Sequence, residues 1–193
     1  MKFSREELID LSKAWIVISL AFAIVLSNEI FSLSFLLTVL ISAITVGVGF
    51  LLHELAHKYV ALRYGCTAEF RSFDQMLVFA LLMSWILGIV FAAPGAVFIS
   101  GNVNLERNGR ISIAGPITNL VIALIFLLIS FTSINNIFLI NGLGIGEFGF
   151  FINTWLALFN MIPFWNFDGK KIFYWNKTAW ITVVGIALVF LFV

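Results

Sequence analysis

Six apolar stretches separated by short polar segments set the plan of this chain: 14–32, 35–61, 76–100, 111–132, 148–164 and 178–193. A helical membrane crossing takes about 20 apolar residues, so most of these stretches are long enough to span. The polar residues before the first stretch predict an amphipathic helix start. Ser4 stands as N-cap, Glu7 as its reciprocal partner in a capping box, and Phe3 with Leu8 as a hydrophobic staple. Asn28 and Glu29 fall at the far interface of the first span. Gly47 and Gly49, inside the second stretch, either admit a close neighbour or mark a local kink. Residues 62–75 are a polar loop or short strand, 102–110 are polar, 133–147 form a loop rich in Asn and Gly, and 178–193 is a little short for a full crossing.

Basic residues orient these stretches. Lys2, Arg5, Lys13, Lys58, Arg63, Arg71, Arg107, Arg110, Lys170, Lys171 and Lys177 all fall on one side if the N-terminus is cytoplasmic and the spans alternate. Cytoplasmic loops carry the Lys/Arg excess. The segment 76–100 then begins and ends inside, and it is too short for two crossings of about 20 residues each. The prediction is a re-entrant element: a helix from 76 to about 91, then an extended return through 96–100 packed against protein. The fold class that follows is an all-α polytopic membrane protein with about five transmembrane helices plus this re-entrant helix/strand element.

Composition agrees. The chain is 62% hydrophobic and 11% charged, against roughly 45–50% and about 25% in soluble domains. A net charge of +1 without a basic run gives no reason to expect nucleic acid. Glu6, Glu7 and Asp10 near the N-terminus argue against a cleavable signal peptide. A single cysteine, Cys66, excludes an internal disulfide and a cysteine-rich metal site. Gly144 to Gly149 reads G-x-G-x-x-G, but in an outer loop with no strand before it, so no nucleotide is expected. Asn176-Lys177-Thr178 fits a glycosylation pattern on the wrong side of the membrane.

The chemistry concentrates in His53-Glu54-Leu55-Ala56-His57, which contains both histidines of the chain. Residues four apart share a helix face, so the two imidazoles can meet one metal ion while Glu54 reaches a water beside it. Catalytic zinc takes three protein ligands. With no third histidine, the remaining ligand is a carboxylate. Asp168, at the end of an apolar stretch, is favoured over Glu69, Asp74 and Glu106. The metal activates a water for attack on a peptide carbonyl, with Glu54 as general base. A substrate unwound in lipid needs replacement backbone partners. The extended return, Ala96, Val97 and Phe98 included, can supply them by strand addition. Asn119 and Asn160 can donate to substrate or to a neighbouring helix. A metal-binding transporter and a catalytically inactive homologue are the alternatives.

Three motifs carry a resemblance: the His53–His57 pentad, Ile113-Ala114-Gly115-Pro116 followed by Thr118-Asn119, and Asn160-Met161-Ile162-Pro163 followed by Asp168-Gly169. Together they resemble the site-two protease family of intramembrane zinc metalloproteases, its archaeal and bacterial members most. The resemblance implies one Zn²⁺ per chain on His53, His57 and Asp168, Glu54 as catalytic base, and Asn160 in substrate contact. It also implies one membrane-embedded domain over 1–193 with a catalytic core at about 35–171. Short strands follow the metal helix in that family, and Ala93-Pro94-Gly95-Ala96-Val97 is similar to that region. The expected partners are the lipid bilayer and a transmembrane-helix protein substrate cut within or near its span. The expected location is the cell membrane, with the active-site end cytoplasmic. One departure is that Asn166-Phe167-Asp168-Gly169-Lys170 stands where the family often has Pro-Leu-Asp-Gly-Gly.

Overall fold

The computed structural model describes residues 1–193 apart from 28, 31, 91, 92, 137, 138, 141 and 193. Helix α1 (Arg5–Leu26) starts at the predicted cap, where Ser4 accepts the Glu7 N–H at 3.0 Å. The capping box does not close. The Glu7 carboxylate turns inward to pair with Lys58 and accepts the Phe70 N–H at 3.0 Å. The helix stops at Leu26, short of the predicted 32, because Ser27 takes an extended conformation. Asn28 lies outside the described residues.

A continuous apolar helix occupies Leu33–Arg63 in three segments: α2 (Leu33–Ser42), a π-helical turn (Ala43–Gly47) and α3 (Val48–Arg63). The two glycines serve both predicted purposes. Gly47 belongs to the distorted turn, and a side chain there would strike Trp15 and Ser19 of α1. Trp15 donates its indole N–H to the Ala43 carbonyl at 3.0 Å. A side chain at Gly49 would strike Asn153 instead.

Strand β1 (Thr67–Ser72), helix α4 (Asp74–Leu87) and strand β2 (Gly95–Ser100) follow. The predicted helix-and-return is present, with two adjustments. The helix ends at Leu87, where Gly88 takes a left-handed φ of 65°, and Phe91 lies outside the described residues. The return is also paired: β2 runs antiparallel to β1, Phe70 opposite Val97. The polar segment thereby satisfies one edge of a strand that lipid alone could not.

Helix α5 (Leu105–Ser130) takes in much of the segment read as polar linker. Asn104 caps it by accepting the Arg107 N–H at 2.9 Å, and Glu106 pairs with Arg110 one turn on at 2.7 Å. A two-residue hairpin, β3 (Leu139–Ile140) and β4 (Leu143–Gly144), leads into α6 (Ile145–Asn160). This helix ends four residues before the predicted 164, because Pro163 disfavours helical backbone in the residue before it. Helices α7 (Asp168–Trp175) and α8 (Lys177–Phe190) complete the chain, and Val193 lies outside the described residues. Among the described residues, three helices are long and apolar enough to cross a membrane: Arg5–Leu26, Leu33–Arg63 and Leu105–Ser130. At 16 and 14 residues, α6 and α8 fall below the usual span of about 20.

Helix α5 packs against α3, α6 and α7. One apolar core joins Leu11, Ile18, Val46, Phe50, Phe70 and Ile152, and a second joins Leu120, Met161, Ile172 and Val183. Polar ties gather at one end. Lys13 binds Asp74 at 2.8 Å and Arg71 binds Glu6 at 2.9 Å, with Ser4 donating to Glu69. These ties clamp the first half of α1 onto the sheet and the start of α4. The Lys13 ammonium holds the Asp74 carboxyl below its ordinary range.

Candidate metal centre

Both histidines project from α3 into α5. His57 donates Nδ1–H to the Ile111 carbonyl at 2.8 Å, and His53 donates Nδ1–H to the Asn119 amide oxygen at 2.6 Å. With both Nδ1 positions donating, each neutral ring turns the bare lone pair of Nε2 inward. The two Nε2 atoms lie 3.0 Å apart. Asp168 Oδ2 stands 3.2 Å from that of His53 and 3.0 Å from that of His57. With both rings neutral, these are three acceptors facing one point, which repel each other unless a proton or a metal cation lies between them. Tetrahedral zinc with bonds of about 2.0–2.1 Å sets its ligand atoms roughly 3.3 Å apart, close to this triangle. The donor set therefore fits zinc, and among the described residues it is the only such cluster of His, Cys, Asp and Glu.

Local sequence explains how the three ligands converge. Gly115 on α5 leaves the imidazoles their space: a Cβ there would lie 2.5 Å from His53 Nε2 and 2.6 Å from His57 Cε1. Asp168 is the first residue of α7, brought beneath the histidines because 161–167 turns back after α6. Gly169 packs directly on the Met161 backbone, where a side chain would not fit. The competing carboxylates are held elsewhere: Glu69 by Ser4 and Arg71, Asp74 by Lys13 and Ser72, Glu106 by Arg110.

A cavity of about 400 Å³ opens onto the cluster, and His53, Glu54, His57 and Asp168 line it. All four are buried. Asn160 also lines it, with its amide N–H donating to the Leu156 carbonyl at 2.9 Å. The amide N–H₂ of Asn119 serves neighbouring helices, donating to the Gly49 carbonyl and to Asn153, both at 3.2 Å.

The strand register decides which groups of β2 are free. Phe70 donates its N–H to Glu7, away from β2, while Phe73 donates to the Pro94 carbonyl at 2.9 Å. Backbone direction alternates along an antiparallel pair. The outward groups of β2 are therefore those of Gly95, Val97 and Ile99, and these residues line the cavity. Ala96 lines it too, but its backbone groups, like those of Phe98, point to β1. The Phe98 ring packs against Phe73, which lines the cavity, and does not line it itself.

Two residues enter the site without having been singled out in the sequence. Lys171 lines the cavity with Nζ 3.5 Å from Asp168 Oδ1, the oxygen that faces away from the histidines. Asn153 supports Asn119. The signal for Asn153 was available, since it is an amide in an apolar helix two turns before Asn160 and so on the same face.

Three curated proteins are similar to this chain. A protein of Methanocaldococcus jannaschii named "Putative zinc metalloprotease MJ0611" is 40% identical over 191 residues, covering 97% of this chain and 93% of the relative. "Putative zinc metalloprotease YwhC" of Bacillus subtilis is 31% identical over 147 residues, 67% of this chain and 65% of that protein. "Zinc metalloprotease MJ0392" of Methanocaldococcus jannaschii is 32% identical over 126 residues, which is 65% of this chain but 31% of that longer protein. No family model matches the chain. No solved structure matches it. Identity at the level of the first relative, along nearly the whole of both chains, means that this chain belongs to that zinc metalloprotease family.

Proposed function

We propose that this protein is an intramembrane zinc endopeptidase of the site-two protease kind, cutting peptide bonds within or near transmembrane segments. The observation that carries this reading is the triangle of His53, His57 and Asp168 acceptors, buried beside a cavity walled by apolar helices. Zinc, when bound there, supplies the Lewis acidity that makes water nucleophilic near neutral pH.

The chain's own residues do the rest. His53 and His57 hold their Nδ1 protons on Asn119 and Ile111, keeping Nε2 free for the metal. Glu54 takes the proton of the attacking water on its carboxylate and returns it to the leaving amine. Its burial beside the cluster supports that role. The outward groups of Val97 and Ile99 pair with an unwound substrate backbone as an added strand, and Asn160, which lines the same cavity, contacts the substrate. The substrate is a transmembrane protein reached through the bilayer, one zinc serves each chain, and 1–193 acts as one domain with its core at about 35–171. Five crossings, with α6 and α8 among them, leave the N-terminus and the active-site end cytoplasmic. The gathering of Lys2, Lys13, Lys58 and Arg71 at one end supports that orientation.

The test uses the purified chain in detergent with a single-span substrate. Wild type should bind one zinc and cut. Glu54→Gln should keep the zinc and lose cleavage by about 10²–10⁴-fold. Asp168→Ala should lose zinc. Equal cutting by wild type and Glu54→Gln, or zinc-free wild type, sinks the reading, and a wild type that binds zinc without cutting favours a transporter or an inactive homologue.

A further inference from the structure

The His53 imidazole is the end of a chain of amides crossing three helices. Asn119 on α5 accepts from His53 Nδ1–H at 2.6 Å, and its own N–H₂ donates to the Gly49 carbonyl and to Asn153 Oδ1, both at 3.2 Å. Asn153 on α6 then donates its N–H₂ to the Gly149 carbonyl at 2.9 Å and to the Thr45 carbonyl at 3.4 Å. Both amides are completely buried.

The direction of the chain is not free. Carbonyls only accept, so Thr45 and Gly149 compel Asn153 to present its N–H₂ to them and its oxygen to Asn119. That oxygen, with Gly49, compels Asn119 to turn its N–H₂ away and its oxygen to His53. An amide oxygen cannot bond a bare Nδ1, so the one proton of a neutral His53 ring sits on Nδ1 and Nε2 is the atom turned to the metal point. Thr45 belongs to the π-helical turn, a distortion that recurs at functional sites. The missing side chain at Gly49 is what gives Asn153 Oδ1 its place.

We propose that Asn153 is a positioning residue for the metal centre: acting through Asn119, it sets the tautomer and orientation of His53. This rests on the metal reading above. Outer partners of metal-bound histidines are commonly worth about 10–100-fold in metal affinity, and the same magnitude is expected here from a residue that touches neither metal nor ligand.

The experiment exploits the fact that the chain has only two histidines. Full-length protein in detergent, labelled with ¹⁵N at histidine and stripped of metal, reports both imidazole tautomers by NMR. Zinc affinity is measured separately by competition with a chelator, using Zn²⁺ alone. Wild type should show His53 as the Nδ1–H form. Asn153→Leu should turn His53 into a tautomer mixture, leave His57 unchanged and weaken zinc by about 10–100-fold. Gly49→Ala removes no polar group and favours helix, yet its methyl displaces Asn153 Oδ1, so it should shift His53 in the same way if the leucine variant fails to fold. The double variant Asn119→Leu/Asn153→Leu should bind zinc no more weakly than Asn119→Leu alone. A wild-type His53 spectrum in the folded variants, or additive losses in the double variant, overturns the relay. Wild type that takes up no zinc overturns the metal reading instead, and the tautomer spectra still decide the relay.

Discussion

At the scale of single residues, space decides as much as chemistry. Gly115 has no functional atom, yet two imidazoles lie where its side chain would be. Alanine favours a helix interior over glycine by roughly 0.5–1 kcal/mol, so Gly115→Ala should leave α5 intact while pushing both histidines off the metal point. The expected result is a folded protein whose zinc affinity falls at least as far as the 10–100-fold of a lost outer partner, measured by chelator competition. Undiminished zinc binding in that variant would mean the imidazoles have more room than the geometry allows. The two histidine ligands were legible in the sequence, because residues four apart need only a helix to share a face. Asn153 could be marked from its place in an apolar helix two turns before Asn160, but its role could not, because such an amide names no partner until its neighbours are known.

Elements are held to each other by a few buried polar contacts. The Glu7–Lys58 pair is buried on both sides, at 1% and 2% relative exposure, so solvent screening does not weaken it. Lys58 also donates to the Lys2 carbonyl at 2.9 Å, and Glu7 holds the N–H of Phe70 on β1. One carboxylate thus ties α1, the metal helix and the sheet that faces the cavity. Removing one partner of such a pair strands the other charge and typically costs about 3–5 kcal/mol, whereas replacing both with apolar groups is often neutral. Glu7→Ala should therefore lower unfolding stability in detergent by that order, and Glu7→Leu/Lys58→Met should recover most of it. A double variant as unstable as the single would show that the ion pair is not what joins these elements. Read from sequence, Glu7 fits a capping box, because the helix-start pattern is local, while its real partners lie 51 and 63 positions away.

For the whole molecule, the decisive feature is the gathering of charge at one end and apolar surface along the rest. The proposed arrangement of five crossings would place Thr132, just beyond α5, and Lys177, at the start of α8, on opposite faces of the membrane. Cys66 is buried, which leaves a quiet background for labelling. Thr132→Cys and Lys177→Cys in oriented vesicles should react with a membrane-impermeant maleimide from opposite sides only, Lys177→Cys from the cytoplasmic one. Labelling of both from the same side would remove the five-span arrangement and, with it, the proposed orientation of the site.

The sequence by itself determined the apolar helices, the helix-and-return between the second and third long spans, and the pairing of His53 with His57. Each depends on periodicity or composition within a few turns of chain. The tertiary structure decided what joins them: Asp168 brought to His53 across 115 positions, the strand phase that turns Val97 and Ile99 toward the cavity, the inward turn of Glu7, and the amide relay behind His53. Those contacts depend on which helix faces which, and a one-residue change in register or rotation would replace every one of them.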